Sequence, residues 1–306
     1  MARSKRMPSR PSRAAALLLF ATISWSVNQA TDPLHGITRE DLNLTGNVRE
    51  VVVEEARLLS SSSELREGAR IPIERIVFDE DGRVSEWVEF DRSAEPDTIR
   101  RYTYSDGLLA LEEEYRLARW PSETIAYTHD IAGGRTTAEV RAGGGTLRKT
   151  LVYERDGDGK LVAVTEYDPS GIEITKVAYS YSATGKRADR FDPEGELTSW
   201  SVETFDASGR LVEVSLHTAG SEDPPFTISY EYDSHGNVVL EETSGRLSIG
   251  FVIVSPTPSE TKTAYEYTYD GDGNWVKRVT SVWVSDAEDP HWRATAATYR
   301  SFRYVE

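Results

Sequence analysis

One phrase recurs along this chain: an aromatic, then Asp, two residues, Gly, one residue and an apolar residue. It reads Phe78-Asp79-x-x-Gly82-x-Val84, Phe205-Asp206-x-x-Gly209-x-Leu211, Tyr232-Asp233-x-x-Gly236-x-Val238 and Tyr269-Asp270-x-x-Gly273-x-Trp275. The turn glycines run Gly82, Gly107, Gly134, Gly159, Gly185, Gly209, Gly236 and Gly273, with gaps of 25, 27, 25, 26, 24, 27 and 37 residues. A fixed period dictates architecture before any single residue does. Secondary turns at Asp168–Gly171 and Asp192–Gly195 halve two of the units, so each unit reads as two strands and two turns.

Between the turns the pattern has a step of two. Tyr102 and Tyr104, Tyr179 and Tyr181, Tyr230 and Tyr232, and Tyr265, Tyr267 and Tyr269 alternate with other residues. Trp275, Val279 and Trp283 read on one parity, and Val276, Val282 and Val284 on the other. Step-two alternation of aromatic and β-branched residues is a strand signal. Asp opening a type I turn accepts backbone N–H bonds, and Gly closing it takes the left-handed conformation of a bulged hairpin. Asp and Gly thus read as turn residues, and the flanking aromatic and apolar residues as cross-strand packing. The fold expected is all-β: an array of antiparallel hairpins in one long curved sheet, open or partly closed. Residues 31–69 read as N-terminal capping strands and a polar loop, and residues 70–306 as the hairpin-repeat domain.

Residues 1–30 read as a secretory signal: Arg3, Lys5, Arg6, Arg10 and Arg13 precede the short apolar run Ala14–Ile23. That run is shorter than the roughly 20 residues a membrane helix needs. The segment carries five basic and no acidic residues, so its removal takes the formal net charge from −16 to −21. A chain this acidic repels phosphate backbones, which sets nucleic acid aside as a partner. With no cysteine there is no disulfide, no thiolate metal site, no Cys nucleophile and no lipoprotein anchor. The expectation is a secreted or periplasmic protein with no membrane span after signal cleavage.

The phrase resembles the YD repeat of the RHS (rearrangement hot spot) family, best in Tyr230–Val238 and Tyr267–Trp275, over roughly residues 70–280. In that family, hairpins stack edge to edge into a curved sheet, which in large members winds into a shell around a toxin. The resemblance implies a small secreted RHS-repeat protein. The chain reads as too short to close such a shell, and no core cleavage motif or toxin domain follows the repeats up to Glu306.

Three kinds of chemistry are open to these residues. Asp79 and Asp81, Asp156 and Asp158, and Asp270 and Asp272 set oxygen ligands close together on turns, and calcium is the cofactor they would take. The repeat already accounts for Asp and Gly there, so metal-free turns are the expectation. Carboxylates are abundant, but no pair is marked out, and His35, His129, His217, His235 and His291 are scattered. With no motif for catalysis, no catalytic residue is assigned. Trp283 and Trp292, near the end of the array, are the aromatics best placed to stack a ligand. The function expected is a binding or structural module for carbohydrate or protein at the cell surface, without catalysis. The alternatives are a carboxylate-based hydrolase or lyase acting on a surface polysaccharide, and an accessory protein of an RHS-type toxin system. The loops where the phrase fails, Ser60–Gly68, Gly220–Pro225 and Ser255–Ser259, are where function is expected.

Overall fold

The structure is a computed structural model. It describes residues 33–61, 64–116, 120–245, 248–249, 252–253, 260–285 and 289–305. The expected signal segment 1–30 and the loop Ser255–Ser259 lie outside them. Twenty strands run in chain order: β1 (Val48–Ser61), β2 (Glu64–Phe78), β3 (Val84–Phe90), β4 (Pro96–Ser105), β5 (Leu108–Arg116), β6 (Glu123–Asp130), β7 (Arg135–Ala142), β8 (Leu147–Arg155), β9 (Leu161–Tyr167), β10 (Glu173–Tyr181), β11 (Gly185–Phe191), β12 (Leu197–Phe205), β13 (Leu211–Thr218), β14 (Phe226–Tyr232), β15 (Val238–Ser244), β16 (Ser248–Ile249), β17 (Val252–Ile253), β18 (Thr261–Tyr269), β19 (Trp275–Val284) and β20 (His291–Tyr304). Eighteen form one antiparallel sheet in which each pairs with its neighbours in sequence. β16 and β17 pair only with each other, inside the 37-residue gap.

The expectation of an open or partly closed sheet is corrected here. β1 pairs with β2 on one side and with β20 on the other, from Val48↔Tyr304 to Arg57↔Ala296. The sheet is therefore a closed 18-stranded barrel. The stretch read as a cap over a free edge instead supplies the strand that joins both edges. Closure removes the unpaired N–H and C=O groups that an edge would expose. The expected polar loop Ser60–Gly68 is also corrected: β1 continues to Ser61 and β2 starts at Glu64, so this is the tip of a long hairpin.

The period is now explained. One unit is one hairpin whose turn lies on a common rim, here called the near rim, and a connection to the next hairpin on the far rim. Eight hairpins turn at the near rim, and the ninth pair, β20 with β1, is closed by the two ends of the barrel sequence. At Asp156, Asp206, Asp233 and Asp270 the carboxylate Oδ1 accepts the N–H two and four residues on, at 2.8 to 3.0 Å. The following glycines have φ near +80°, and each such hairpin closes with a bulge. Three units depart from the pattern, one being the β6–β7 turn, where Asp130 pairs with Arg135 without a bulge and its Oδ1 accepts from Gly133 N. Asp106-Gly107 makes a two-residue turn with both φ positive, and Gly185 lies in β11 after a turn at Ser182–Thr184.

The recurring aromatic does more than pack. Tyr104 Oη donates to Val84 O at 2.8 Å, Tyr181 Oη to Leu161 O at 2.7 Å and Tyr267 Oη to Val238 O at 2.8 Å. Tyr232 Oη does the same to Leu211 O, and His129 Nε2 lies 2.7 Å from Leu109 O. Each acceptor is the apolar residue of the preceding repeat. The residue after that repeat's Gly meets the same ring: Arg83 over Tyr104, Lys160 over Tyr181 and Arg210 over Tyr232. In the last units Asn takes its place, with Asn237 Nδ2 donating to Tyr269 and Asn274 Nδ2 to Tyr304.

Residues 34–47 form a strap along the near rim. Leu34 O accepts from Leu109 N, and Ile37 O from Val84 N. Asn43 Nδ2 reaches His235 O, and Thr45 N donates to Asn274 Oδ1 at 2.8 Å. Leu44 packs with Val48, Val51, Val53, Ile76, Phe78 and Val84 into the main apolar cluster, flanked by Trp87, Tyr102, Phe302 and Tyr304. Asn274 is only 1 % exposed and also donates to Thr45 O. Replacing it by Ala orphans groups on the strap and on β20. Asn274→Ala is expected to cost about 2–4 kcal/mol, seen as a lower urea midpoint. Tyr104→Phe, which keeps the ring and loses one hydrogen bond, is expected to cost about 1 kcal/mol in the same titration.

Candidate functional site

Residues paired across antiparallel strands share a face, so the register sorts the barrel into two sets. A closed barrel shields one face, and burial marks which it is. On β6, Ile125, Tyr127 and His129 are half-buried while Ala126, Thr128 and Asp130 are exposed. Ile125 pairs with Glu112 and Val140, and Glu112 pairs with Tyr102, so these belong to the lumenal set.

The lumenal set is rich in charge and aromatic rings. Trp87 and Arg100 are paired, as are Arg100 and Glu114. Arg100 Nη1 donates to Glu89 Oε1 at 2.9 Å and its Nε to Glu114 Oε2 at 3.2 Å. Arg116 Nε holds the other oxygen of Glu114 at 2.7 Å. Lys186 Nζ lies 3.3 Å from Glu203 Oε1, above the ring of Tyr179. On the opposite side of the ring closure, Tyr265 and Tyr267 on β18, Arg278 on β19 and Arg300 on β20 face inward. Arg300 Cζ sits 3.9 Å from the Trp275 ring centroid.

Desolvation sets the electrostatics here. Burial pushes the phenols of Tyr102, Tyr127, Tyr179 and Tyr230 up, and that of Tyr265 up to about 12. It raises the carboxyls of Glu74 and Glu241 as well. Burial, with Arg278 beside it, brings Arg300 down to about 10. Burial carries Glu112 up to about 6, against the opposing pull of Arg100; Glu114 and Glu123 reinforce the rise.

The outer wall has a different chemistry. Arg75 Nη2 meets Glu86 Oε1 at 2.5 Å, and Glu86 Oε2 meets Arg101 Nε at 3.0 Å, a ladder across β2, β3 and β4. Glu67 takes Lys277 Nζ at 2.6 Å and the Tyr299 hydroxyl, with Arg70 over the Tyr299 ring. Arg303 to Glu50 at 2.6 Å and Lys262 to Glu242 at 2.5 Å are cross-strand pairs as well. These groups occupy the surface that faces lipid in a membrane barrel, which carries an outward apolar band.

The sequence-predicted residues fall in separate places. Trp283 and Trp292 are brought together: they pair directly on β19 and β20, with ring centroids 5.4 Å apart and edge-on. Both point outward near the far rim and stay exposed. The predicted common parity of Trp275, Val279 and Trp283 does not hold. The bulge at Val276 turns Trp275 into the lumen, 7 % exposed, and leaves Val279 and Trp283 outside. Asp79, Asp156 and Asp270 are engaged by their own turns. Asp79 and Asp81 both meet Arg83, and Asp270 Oδ2 accepts from Tyr304. Asp158 and Asp272 lie on the same near-rim turns. Among the described residues no three acidic or histidine side chains converge as a metal would require.

Sequence reasoning missed the lumenal charges Glu74, Arg100, Glu112, Arg278 and Arg300. A signal was present at one of them: Arg100 stands in step with Tyr102 and Tyr104.

No family model and no curated protein matches the chain. Among solved structures, a porin-like protein from Bacteroides uniformis is similar at 12 % identity and a TM-score of 0.44, over 89 % of this chain and 100 % of that one. A protein of unknown function from Bacteroides fragilis is similar at 12 % identity and a TM-score of 0.20, over 48 % of this chain and 89 % of that one. TcdB2-TccC3 is similar at 9 % identity and a TM-score of 0.19, over 82 % of this chain and 20 % of that one.

Glu112 gives a pH dependence. Its folded-state value lies above that of the unfolded chain, so its contribution to stability is full below pH 4.5 and is lost as pH rises through about 6. That rise corresponds to about 2 kcal/mol. Glu112→Gln is therefore expected to stabilise the protein relative to wild type at pH 7 and not at pH 4. Thermal melts at the two pH values check it.

Proposed function

We propose that the protein is an exported, non-catalytic binding module that works in water, at the cell envelope or outside the cell, and holds a carbohydrate or protein ligand on its far rim. One observation carries this reading: the two rims are unlike. The near rim is built from repeated turns and covered along part of its length by the strap. Of the exposed large apolar side chains, Leu59, Trp120, Ile172, Ile174, Trp283 and Trp292 lie toward the far rim, against Ile131, Tyr181 and Val305 on the near rim. The connection at residues 219–225, where the phrase fails, lies on the far rim as well. Exposed apolar groups with polar surroundings mark interaction surfaces, and loops that interrupt a repeat commonly carry specificity.

The charged outer wall supports an aqueous setting, because each Arg, Lys or Glu ladder placed in lipid costs several kcal/mol. The suggested resemblance to small secreted RHS-repeat proteins agrees with this reading. A hydrolase or lyase is the second reading, and Glu112 is what favours it. A buried carboxyl titrating near 6 is suited to proton donation, and Glu114 two residues away is held by two arginines.

The test is capture on immobilised envelope polysaccharide and envelope protein fractions. Wild type is expected to be retained and its ligand recovered unshortened, while Trp283→Ala with Trp292→Ala weakens retention at least tenfold. Equal retention of the double variant removes the rim site. Shortened polysaccharide, abolished by Glu112→Gln, selects the enzyme. Partition of the purified protein into lipid vesicles overturns the aqueous setting.

A further inference from the structure

Among the described residues, three buried side-chain polar atoms have no hydrogen-bond partner: Trp87 Nε1, Arg278 Nε and Arg300 Nε. All three are donors, and none can accept. All three belong to the lumenal set on β3, β19 and β20, in the arc where the barrel closes. Trp87 pairs with Ile76 and Arg100, Arg278 with Tyr267 and Thr298, and Arg300 with Val53. A buried donor without an acceptor is costly, and a cationic one more so.

The two arginines are diagonal neighbours on adjacent strands, a placement that leaves like charges within side-chain reach. Arg300 stacks on Trp275 at 3.9 Å, and Arg278 lies 5.5 Å from the same ring and 5.2 Å from Tyr265. Stacking holds the guanidinium planes and leaves the Nε donor of each without a partner. Arg278 Nη2 reaches Thr298 Oγ1 only at 3.5 Å. The acids that face the pair are Glu74 on β2, Glu241 on β15 against Arg278 and, beyond Glu74, Glu89, which Arg100 already holds. Burial and Glu89 raise the Glu74 carboxyl, against the opposing pull of Arg300 and Arg278.

We propose that Arg278 and Arg300, backed by Trp275, form a lumenal binding site for an oxyanion, a carboxylate or phosphate group carried by a free ion or by a larger ligand. Two guanidiniums, each with an unused Nε donor, offer charge-assisted hydrogen bonds to the oxygens of such a group. In a chain of net charge −16, they place a local positive field inside a negative protein. This site is independent of the far-rim ligand, and either stands without the other.

The experiment is a thermal melt of the full chain in millimolar inorganic phosphate, sodium glucuronate or sodium chloride at matched ionic strength. A ligand of the folded state raises stability. Phosphate or glucuronate is expected to raise the melting temperature above the chloride value, and Arg278→Gln with Arg300→Gln to abolish the difference. A response to phosphate alone assigns a free ion, and one to glucuronate assigns a sugar-borne carboxylate. A site held open for a ligand also costs stability when empty, so Arg300→Met is expected to raise the melting temperature in chloride. An arginine with a purely structural role would lower it. If the double variant does not fold, Trp275 emission in the wild type decides, assigned by difference from Trp275→Phe. No saturable change with phosphate or glucuronate, or an equal melting response in wild type and double variant, overturns the site.

Discussion

The pairing of β20 with β1 is the interaction on which everything else rests. Among the described residues each ring strand is held by its two hydrogen-bonded neighbours. An open version of this sheet would expose two long edges, and β1 and β20, at 14 residues each, are among its longest strands. Closing them leaves no edge, and it also defines an inside. Only after closure do Trp275, Arg278, Arg300 and Glu74 acquire a shared, desolvated environment. The strap reinforces the same seam, since Thr45 and Asn274 join the N-terminal segment to the turn beside β20.

Within the wall, stability is passed from repeat to repeat. At five hairpins the ring of Tyr104, His129, Tyr181, Tyr232 or Tyr267 reaches a main-chain oxygen of the hairpin before it, while Arg155 and Phe205 hold the equivalent place without a hydroxyl. An Arg, Lys or Asn after Gly meets the ring or hydroxyl of Tyr104, Tyr181, Tyr232, Tyr269 or Tyr304. The two sides of the wall then divide the work. The outer face is stabilised by exposed ion-pair ladders that are individually weak but keep the surface wetted. The inner face buries charge and therefore holds the perturbed groups.

Strand periodicity and the 25-residue spacing made the all-β class and the hairpin unit readable from the sequence. The Asp-x-x-Gly chemistry is local, so it could be read from a few residues. Closure could not, because Val48 and Tyr304 are 256 residues apart and no local pattern encodes their register. The Ser60–Gly68 stretch misled for a related reason: serine and charged residues suit an exposed hairpin tip as well as a loop. Trp283 and Trp292 are readable as aromatics near the end of the array, but their cross-strand pairing is not. Trp275 departs from the parity of Val279 and Trp283 because a single bulged residue, Val276, shifts every side chain after it. The lumenal arginines were hidden by the assumption that charge on a strand marks its wet face.

The split ninth unit also orders events in time. Seventeen of the eighteen ring strands can be in place with the barrel still open, but the seam waits for β20, which emerges last. Until then β1 presents an unpaired edge, and the loop to be closed spans nearly the whole domain. Such long-range pairing is slow to form, and exposed edges invite pairing with other chains. Completion of the ring thus follows the synthesis of all its other strands, and the acidic composition, by repelling other copies during that interval, serves the folding chain as much as the finished one.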